Sequence, residues 1–414
     1  MAKIAIVGSG IAGLGAAYVL DPHHEIVLYE AQDRLGGHAN TVTVDDPEMG
    51  PLSIDTGFIV HNDRNYPNLV RLFDELEVEC QNTEMSFGVD HPNDQIRYRA
   101  TNLATLFAHR RNWLTPGYWR MLRDIPRFWR RASQLLADPD PNISLDEFLA
   151  DTRLSAEFLD WHLVPMGAAI WSASPATFGE FPAVSLLSFL HNHGLLGLGK
   201  RPQWRTVVGG SINYVDRLAA RLNGEIRVSS PVQHVIRENA EVLVRSPQGT
   251  DRYDAVVLAC HPDQSLKLIG DPLDVETETL SQIKYQPNSA TLHTDESVLP
   301  TTIRARAAWN YRIESNPSLP TVTYDLTLLQ ALPGSRRYMV SLNMDHLIDG
   351  RSVIDRFDYA HPVFDKPALD AVKKLATFNG TNRLHFAGAW TGHGFHEDGF
   401  ASALRVCETL GVKW

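Results

Sequence analysis

Apolar residues near the start of the chain run together in the way a covered strand requires. Lys3 to Val7 reads KIAIV, short and β-branched, the pattern of a parallel strand buried on both faces. GSGIAG follows at once, LGAAYVL predicts a helix, and EIVLYE predicts a second strand ending at Glu30. Farther on, Trp119, Leu122, Ile125 (or Pro126) and Trp129 fall at three- to four-residue steps, while Arg120, Arg123, Arg127, Arg130 and Arg131 lie mostly off that stripe. Pro182 to Trp204 is a long apolar segment with a His-Asn-His insert, read as a buried helix followed by a loop, or as the lining of a channel for an acyl chain. No apolar run is long enough to cross a bilayer, and the glycine-rich start is a poor signal peptide.

Composition narrows the classes. With 414 residues, 43% hydrophobic, the chain can build two domains or one large one. A formal net charge of −11 argues against nucleic acid as the main partner. Cys80, Cys260 and Cys407 are far apart and form no CxxC, which points to a reducing, cytoplasmic setting. Against this acidic whole, Arg97 to Arg131 has Asp124 as its only acid, with Trp113, Trp119 and Trp129 interleaved. Such a segment can lie on the inner face of an anionic membrane with tryptophan at headgroup depth, or pack on the core with a solvated basic side.

The opening unit carries the first chemistry. Gly8, Gly10 and Gly13 have GxGxxG spacing between strand and helix, with an acid about 20 residues on. Gly8 allows the tight turn, Gly10 lets a pyrophosphate approach the backbone, and Gly13 lets the helix pack on the strand. Ile11 and Ala12 open the helix whose N-terminus meets the phosphates. Glu30 suits ribose hydroxyls. Arg34, Gly36, Gly37 and His38 extend the cradle.

These residues resemble the E-x3-R-x-GG segment of the flavin amine oxidase superfamily, whose members bind FAD. IDTGFIV, with Gly57, Phe58 and Ile59, is similar to that superfamily's segment along the flavin. The stretch from Arg205 to Leu222 looks like its Gly-Gly segment leading into a helix, IRVSSPVQHV with YDAVVLACHP resembles the strand pair that closes its nucleotide domain, and the resemblance implies that the backbone at Val232 meets the adenine. LHFAGAWTGHGFHEDGFASAL looks like its last FAD motif. By that resemblance Gly388 ends a buried strand beside the ribityl chain, and Glu397, Asp398, Gly399, Phe400 and Ala401 open a helix aimed at the flavin edge that gains charge on reduction. His393 and His396 are the catalytic candidates, each equally open to a structural role. No metal is expected, because Gly392 and Gly394 break the helix that would align the two rings.

A narrower set, including LGGHANTV, DTGFIVHNDRNYPNLVRLFDEL and AAWNYR, resembles the flavin-binding segment at the N-terminus of plant cyclopropane fatty-acid synthases and the stand-alone bacterial FAD-binding proteins like it. The resemblance implies a flavoprotein of modified fatty-acid metabolism. No second glycine-rich nucleotide unit follows, so no methyltransferase is expected in the chain, although a lipid methyltransferase is an expected partner. No cysteine has a flavin-linking context, so FAD is expected to be non-covalent. The strand from Gln286 to Asp295 lacks the lysine that amine oxidases place opposite flavin N5, and His38 stands where most have Arg.

The expected fold is α/β: a Rossmann-like (GR2-type) FAD-binding domain with an inserted α+β substrate domain, amine oxidase-like. Residues 1–90, 200–285 and 376–414 are assigned to the former, and 91–199 and 286–375 to the latter. The expected function is FAD-dependent dehydrogenation, by hydride transfer to flavin N5, of a lipid-borne acyl chain, with or without a methyl branch. Two alternatives stand beside it: an amine or polyamine oxidase-like enzyme, and a flavin-bearing accessory subunit of a lipid methyltransferase.

Overall fold

A computed structural model describes residues 1–199, 201–314 and 319–414; Lys200, inside the stretch Pro182 to Trp204 and at the first residue of the 200–285 assignment, lies outside the described residues, as do 315–318 within 286–375. The opening strand Lys3–Val7 is central in a five-stranded parallel sheet. Glu25–Tyr29 and then Glu225–Arg227 lie on one side of it, and Ala255–Leu258 and then Leu384–Phe386 on the other. Side chains alternate between two cores. Ile4, Ile6, Ile26 and Leu28 face a helical layer containing Ile11–Leu20, Ile212–Arg221 and the C-terminal helix His396–Thr409. Ala5, Val7, Val27 and Tyr29 face the other core, shared with a three-stranded antiparallel sheet and the helix Lys366–Leu375. Burial on both faces is why KIAIV carries no polar alternation.

IRVSSPVQHV and YDAVVLACHP do not pair with each other. Glu225–Arg227 and Ala255–Leu258 flank the sheet centre from opposite sides, and His234–Glu238 joins the small antiparallel sheet. Parallel strands must be joined by crossovers, so neighbours in sequence need not be neighbours in the sheet.

A second, seven-stranded sheet runs Val353–Pro362, Tyr285–His293, Met339–Leu342, Val322–Asp325, Trp309–Arg312, Phe87–His91, Ile96–Arg99. It begins at Phe87, and helix Lys366–Leu375 turns Ala368, Ala371 and Leu375 toward the parallel sheet. The strand Phe87–His91 spans residue 90, and the helix Lys366–Leu375 ends at residue 375. Helices between 103 and 192 cover the Phe87–Arg99 edge around a core that includes Val89, Ile96 and Tyr98.

The basic stretch 97–131 is not one amphipathic helix. It is a strand end, two short helices (Leu103–Leu106 and Arg110–Leu114) and the start of a 22-residue helix, Pro116–Ala137. The buried stripe of that helix is Tyr118, Met121, Asp124, Phe128 and Ala132, one position off the expected Trp119–Leu122–Ile125–Trp129 stripe, which is half-buried and exposed at Trp119. Asp124 tolerates burial because it accepts hydrogen bonds from Ser155 N–H (2.9 Å) and Arg127 (3.0 Å). Among the described residues no helix is long and apolar enough to cross a membrane.

Candidate active site

The turn after Lys3–Val7 brings the glycine motif against the 34–38 loop. Gly8 N–H donates to the Tyr29 carbonyl (2.8 Å) and Gly36 N–H to the Ser9 carbonyl (3.0 Å). A Cβ on Gly13 would lie 1.8 Å from the Gly8 carbonyl oxygen, so the helix can approach the strand only with glycine there. A Cβ on Gly10 would meet nothing within 4 Å, which leaves open space at the N-terminus of Ile11–Leu20, where no side chain caps the helix. The Arg34 guanidinium donates to the carbonyls of Gly37 (2.9 Å) and Ala39 (3.4 Å) and holds the loop closed. Glu30 accepts from Ser9 N–H (2.9 Å), Ser9 Oγ (2.6 Å) and Gln32 N–H (2.8 Å). Ser230 N–H donates to the Glu30 carbonyl (2.8 Å), which draws the Val232 segment alongside.

Gly57, Phe58 and Ile59 follow the strand Gly50–Asp55 and press on the same loop. Phe58 N–H donates to the His38 carbonyl (2.9 Å). The anchor beneath is Asp55, fully buried, accepting from Thr41 Oγ1 (2.6 Å), Ser211 Oγ (2.7 Å) and Ser211 N–H (2.8 Å); burial raises its carboxyl to about 6. Gly388 follows the strand Leu384–Phe386 and lies against the buried Trp390 indole, whose Nε1 has no partner. Ile11 lies against Gly399, so the two helix N-termini converge.

The residues around the last helix start make specific contacts within the protein. The Glu397 carboxylate accepts from Asn68 N–H (3.1 Å), Asn68 Nδ2 (2.6 Å) and Leu69 N–H (2.9 Å), capping the helix Pro67–Glu75. Asp398 accepts from Phe395 N–H (2.9 Å) and caps its own helix. The Phe400 ring is in the core, against Gly15 and Trp414, with Ala401 half-buried beside it. His396 is stacked on Phe58 (3.7 Å between centroids) and bonded to the Tyr214 hydroxyl through Nε2 (3.0 Å), and burial holds its pKa well below the ordinary value. The uncharged ring also lines the cavity. His393 lines the cavity and accepts from Trp171 Nε1 at its carbonyl (3.1 Å). His193 stacks on Phe189 and binds that residue's carbonyl, while His191 is exposed.

From this cradle a cavity of about 810 Å³ runs between the second sheet and the helices. Its inner wall holds His38, Gly57, Tyr359 and His361, and its outer reach is lined by Leu106, Ile125, Trp129, Met166 and Ile170. Tyr359 and His361 were missed by sequence reasoning. Phe357, Tyr359 and His361 alternate along Val353–Pro362, and that two-residue period was the available signal. The Tyr359 hydroxyl accepts from Asn40 Nδ2 (3.0 Å) and pairs with Thr56 Oγ1 (2.8 Å); Thr56 already donates to the Asn40 carbonyl, so Tyr359 is the donor. Asn343 Nδ2 holds Asn288 Oδ1 (2.8 Å), which turns Asn288 Nδ2 to His361 Nδ1 (3.0 Å) and leaves that ring's proton on Nε2. The enclosing cavity walls lower His361 to about 3 and also lower His38, although the His38 side chain stays exposed to the cavity, and neighbouring histidines reinforce both shifts, so both rings face the cavity uncharged at neutral pH. Among the described lining residues there is no Asp, Glu or Lys, and the one permanent charge is Arg201 near the mouth.

Comparisons with known proteins agree with this architecture. The family described as flavin containing amine oxidoreductase matches residues 11–322. The Mycobacterium tuberculosis protein AofH, named for flavin-containing monoamine oxidase activity, is 25% identical over 282 residues; the match covers 65% of this chain and 59% of that protein's length. Among solved structures, a CLA-producing fatty acid isomerase from P. acnes superposes with a TM-score of 0.71 at 16% identity, covering 99% of this chain and 98% of the other. A putrescine oxidase redesigned in its cofactor binding gives 0.69 at 16% identity, covering the same 99% and 98%. At that identity these two likenesses show the fold.

FAD fits the cradle. The open space at Gly10, the uncapped helix end and the unpartnered Trp390 indole are features a bound dinucleotide would use. Gly8, Gly10, Gly36 and Gly37 would lie along its pyrophosphate, Glu30 at its ribose, and Gly57 and Gly388 toward the flavin.

Proposed function

This chain belongs to the family of flavin-containing amine oxidoreductases, and we propose that it is an FAD-dependent oxidoreductase that desaturates a lipid-borne acyl chain, with or without a methyl branch. The observation that carries the reading is the cavity lining. An ammonium substrate that leaves water is best stabilised by a carboxylate, with aromatic faces contributing less. The described lining offers no carboxylate, its inner histidines are neutral, and its one fixed charge is a cation. A long apolar chain loses nothing polar on entry, and each buried methylene contributes about 0.8 kcal/mol. Arg201 suits the carboxylate or phosphate at the polar end of such a chain.

FAD, when bound, supplies the two-electron chemistry. The protein holds the chain between aliphatic and aromatic walls, excludes water from the inner end, and presents the uncharged His38 and His361 rings there. The likeness to a fatty acid isomerase supports an acyl substrate; the likeness to a putrescine oxidase supports the amine alternative.

An anaerobic flavin spectrum of the loaded protein distinguishes the two. Bleaching by phospholipid carrying methyl-branched acyl chains, with none by putrescine or monoamines, is the expected result. Bleaching by amines alone would overturn the reading.

A further inference from the structure

Large apolar side chains are rarely left in water in groups, and here they gather at one end of the cavity. Among the described residues, Leu198 is 93% exposed, Leu114 82%, Ile303 75%, Leu103 74%, Trp113 54% and Trp119 46%. Leu103 and Leu198 line the outer reach of the cavity itself. Phe107, one turn from Leu103, stacks on Trp113 (3.9 Å between centroids) and lies 5.2 Å from Trp119. The Trp119 indole N–H donates to the Trp113 carbonyl (3.0 Å) and fixes the pair at the surface. The turn Ile303–Ala305 packs against the helix of Leu103. Leu103's helix, Trp113, Trp119 and the Ile303–Ala305 turn thus form one contacting group, and Leu198 shares the cavity lining with Leu103.

The charge of this patch is opposite to that of the whole. Residues 97–131 hold nine arginines and one acid, in a chain of net charge −11. That acid, Asp124, is buried and already engaged. Arg97, Arg99, Arg120, Arg123 and Arg127 are paired with Asp90, Glu84, Glu157 and Asp124, whereas Arg110, Arg130, Arg201 and Arg304 make no ion pair among the described residues. Exposed leucine and tryptophan between unpaired arginines suit an interface where apolar groups enter acyl chains and cations stay with anionic headgroups. A second copy of the chain on this face would oppose arginine with arginine.

We infer that this patch seats the protein on an anionic lipid bilayer, with the cavity mouth opening toward the acyl region. The inference takes its purpose from the acyl-chain reading, but its evidence is the surface. Docked in this way, a lipid chain passes Leu103 and Leu198 into the cavity without crossing bulk water.

The test is co-sedimentation of the FAD-loaded protein with phosphatidylcholine vesicles, with and without phosphatidylglycerol. Binding to the anionic vesicles is expected, weakened by salt and at least tenfold weaker in Leu114→Glu and in the Arg110→Glu/Arg130→Glu double variant. These positions are exposed, so folding is expected to survive, as checked by flavin content. Failure of the unaltered protein to sediment with anionic vesicles, or equal binding by Leu114→Glu, overturns the inference. So does a change of oligomeric state in Leu114→Glu with vesicle binding intact, which would mark a self-interface. Flavin bleaching by detergent-dispersed lipid without vesicle binding would sink the docking and leave the acyl reading standing. Vesicle binding with an unreactive flavin would do the reverse.

Discussion

Acidification to pH 5 is expected to destabilise this protein through histidines buried without charge. His61, His193, His293 and His385 are each less than 9% exposed, and burial lowers each to about 4. In the unfolded chain they titrate near the ordinary 6.5. Between those values the unfolded state binds more protons than the folded one, so stability falls as pH falls from 6.5 toward 4. At pH 5 each histidine costs about 2 kcal/mol relative to pH 7.5, and the four together about 8 kcal/mol. Asp55 acts in the opposite direction. Its folded value of about 6 lies above the unfolded one, so its contribution is full at low pH and is lost as pH rises through 6; acidification returns about 1 kcal/mol. Local relaxation around a newly charged ring would recover part of the rest. For a chain this long, the melting temperature should drop by about 4–8 °C. Melts followed by tryptophan fluorescence at pH 7.5 and 5.0, at constant ionic strength, measure it. His293→Gln keeps a partner for the Ser341 hydroxyl and should shrink the acid shift by about 2 °C. A melting temperature equal or higher at pH 5, or an undiminished shift in His293→Gln, would refute the reasoning.

Other outcomes follow from the site. Fatty acids of increasing length should bind about fourfold tighter per added methylene, read by perturbation of the flavin spectrum. Arg201→Ala should weaken all lengths alike by about two- to fivefold, because its charge is at the exposed mouth. Gly57→Ala should purify with little flavin, because the added Cβ would fall 2.1 Å from the His38 carbonyl oxygen and displace the cradle loop; normal FAD content would contradict that. Burial raises the thiols of Cys80 and Cys260 to about 11 and of Cys407 to about 12. Iodoacetamide at pH 8 should therefore modify the native protein roughly 100-fold more slowly than free cysteine, with normal reactivity returning in denaturant.

What the sequence by itself determined is the chemistry made by short-range spacing. The strand, glycine turn, helix and acid from Lys3 to Glu30 are contiguous, and the turn's own bonds, Gly8 to Tyr29 and Ser9 to Glu30, close within that span, so type and spacing suffice for the motif, while its sheet partners Glu225–Arg227 and Ala255–Leu258 come from far along the chain. The composition of 97–131 was equally legible as basic and aromatic. Its geometry was not, because the strand Ile96–Arg99 and the packing of Tyr118 and Met121 rotate the long helix one position from its apolar stripe. Glu397 caps a helix more than three hundred residues earlier in the chain. The His38–Tyr359–His361 cluster joins the first loop to a late strand, and the surroundings that keep its histidines uncharged are assembled from segments that no local pattern links. The lining without carboxylates was likewise decided only in three dimensions, since it depends on which faces of two sheets and several helices enclose the same space. Contacts within one supersecondary unit follow the chain; contacts between units follow packing, and the substrate chamber is made almost wholly of the second kind.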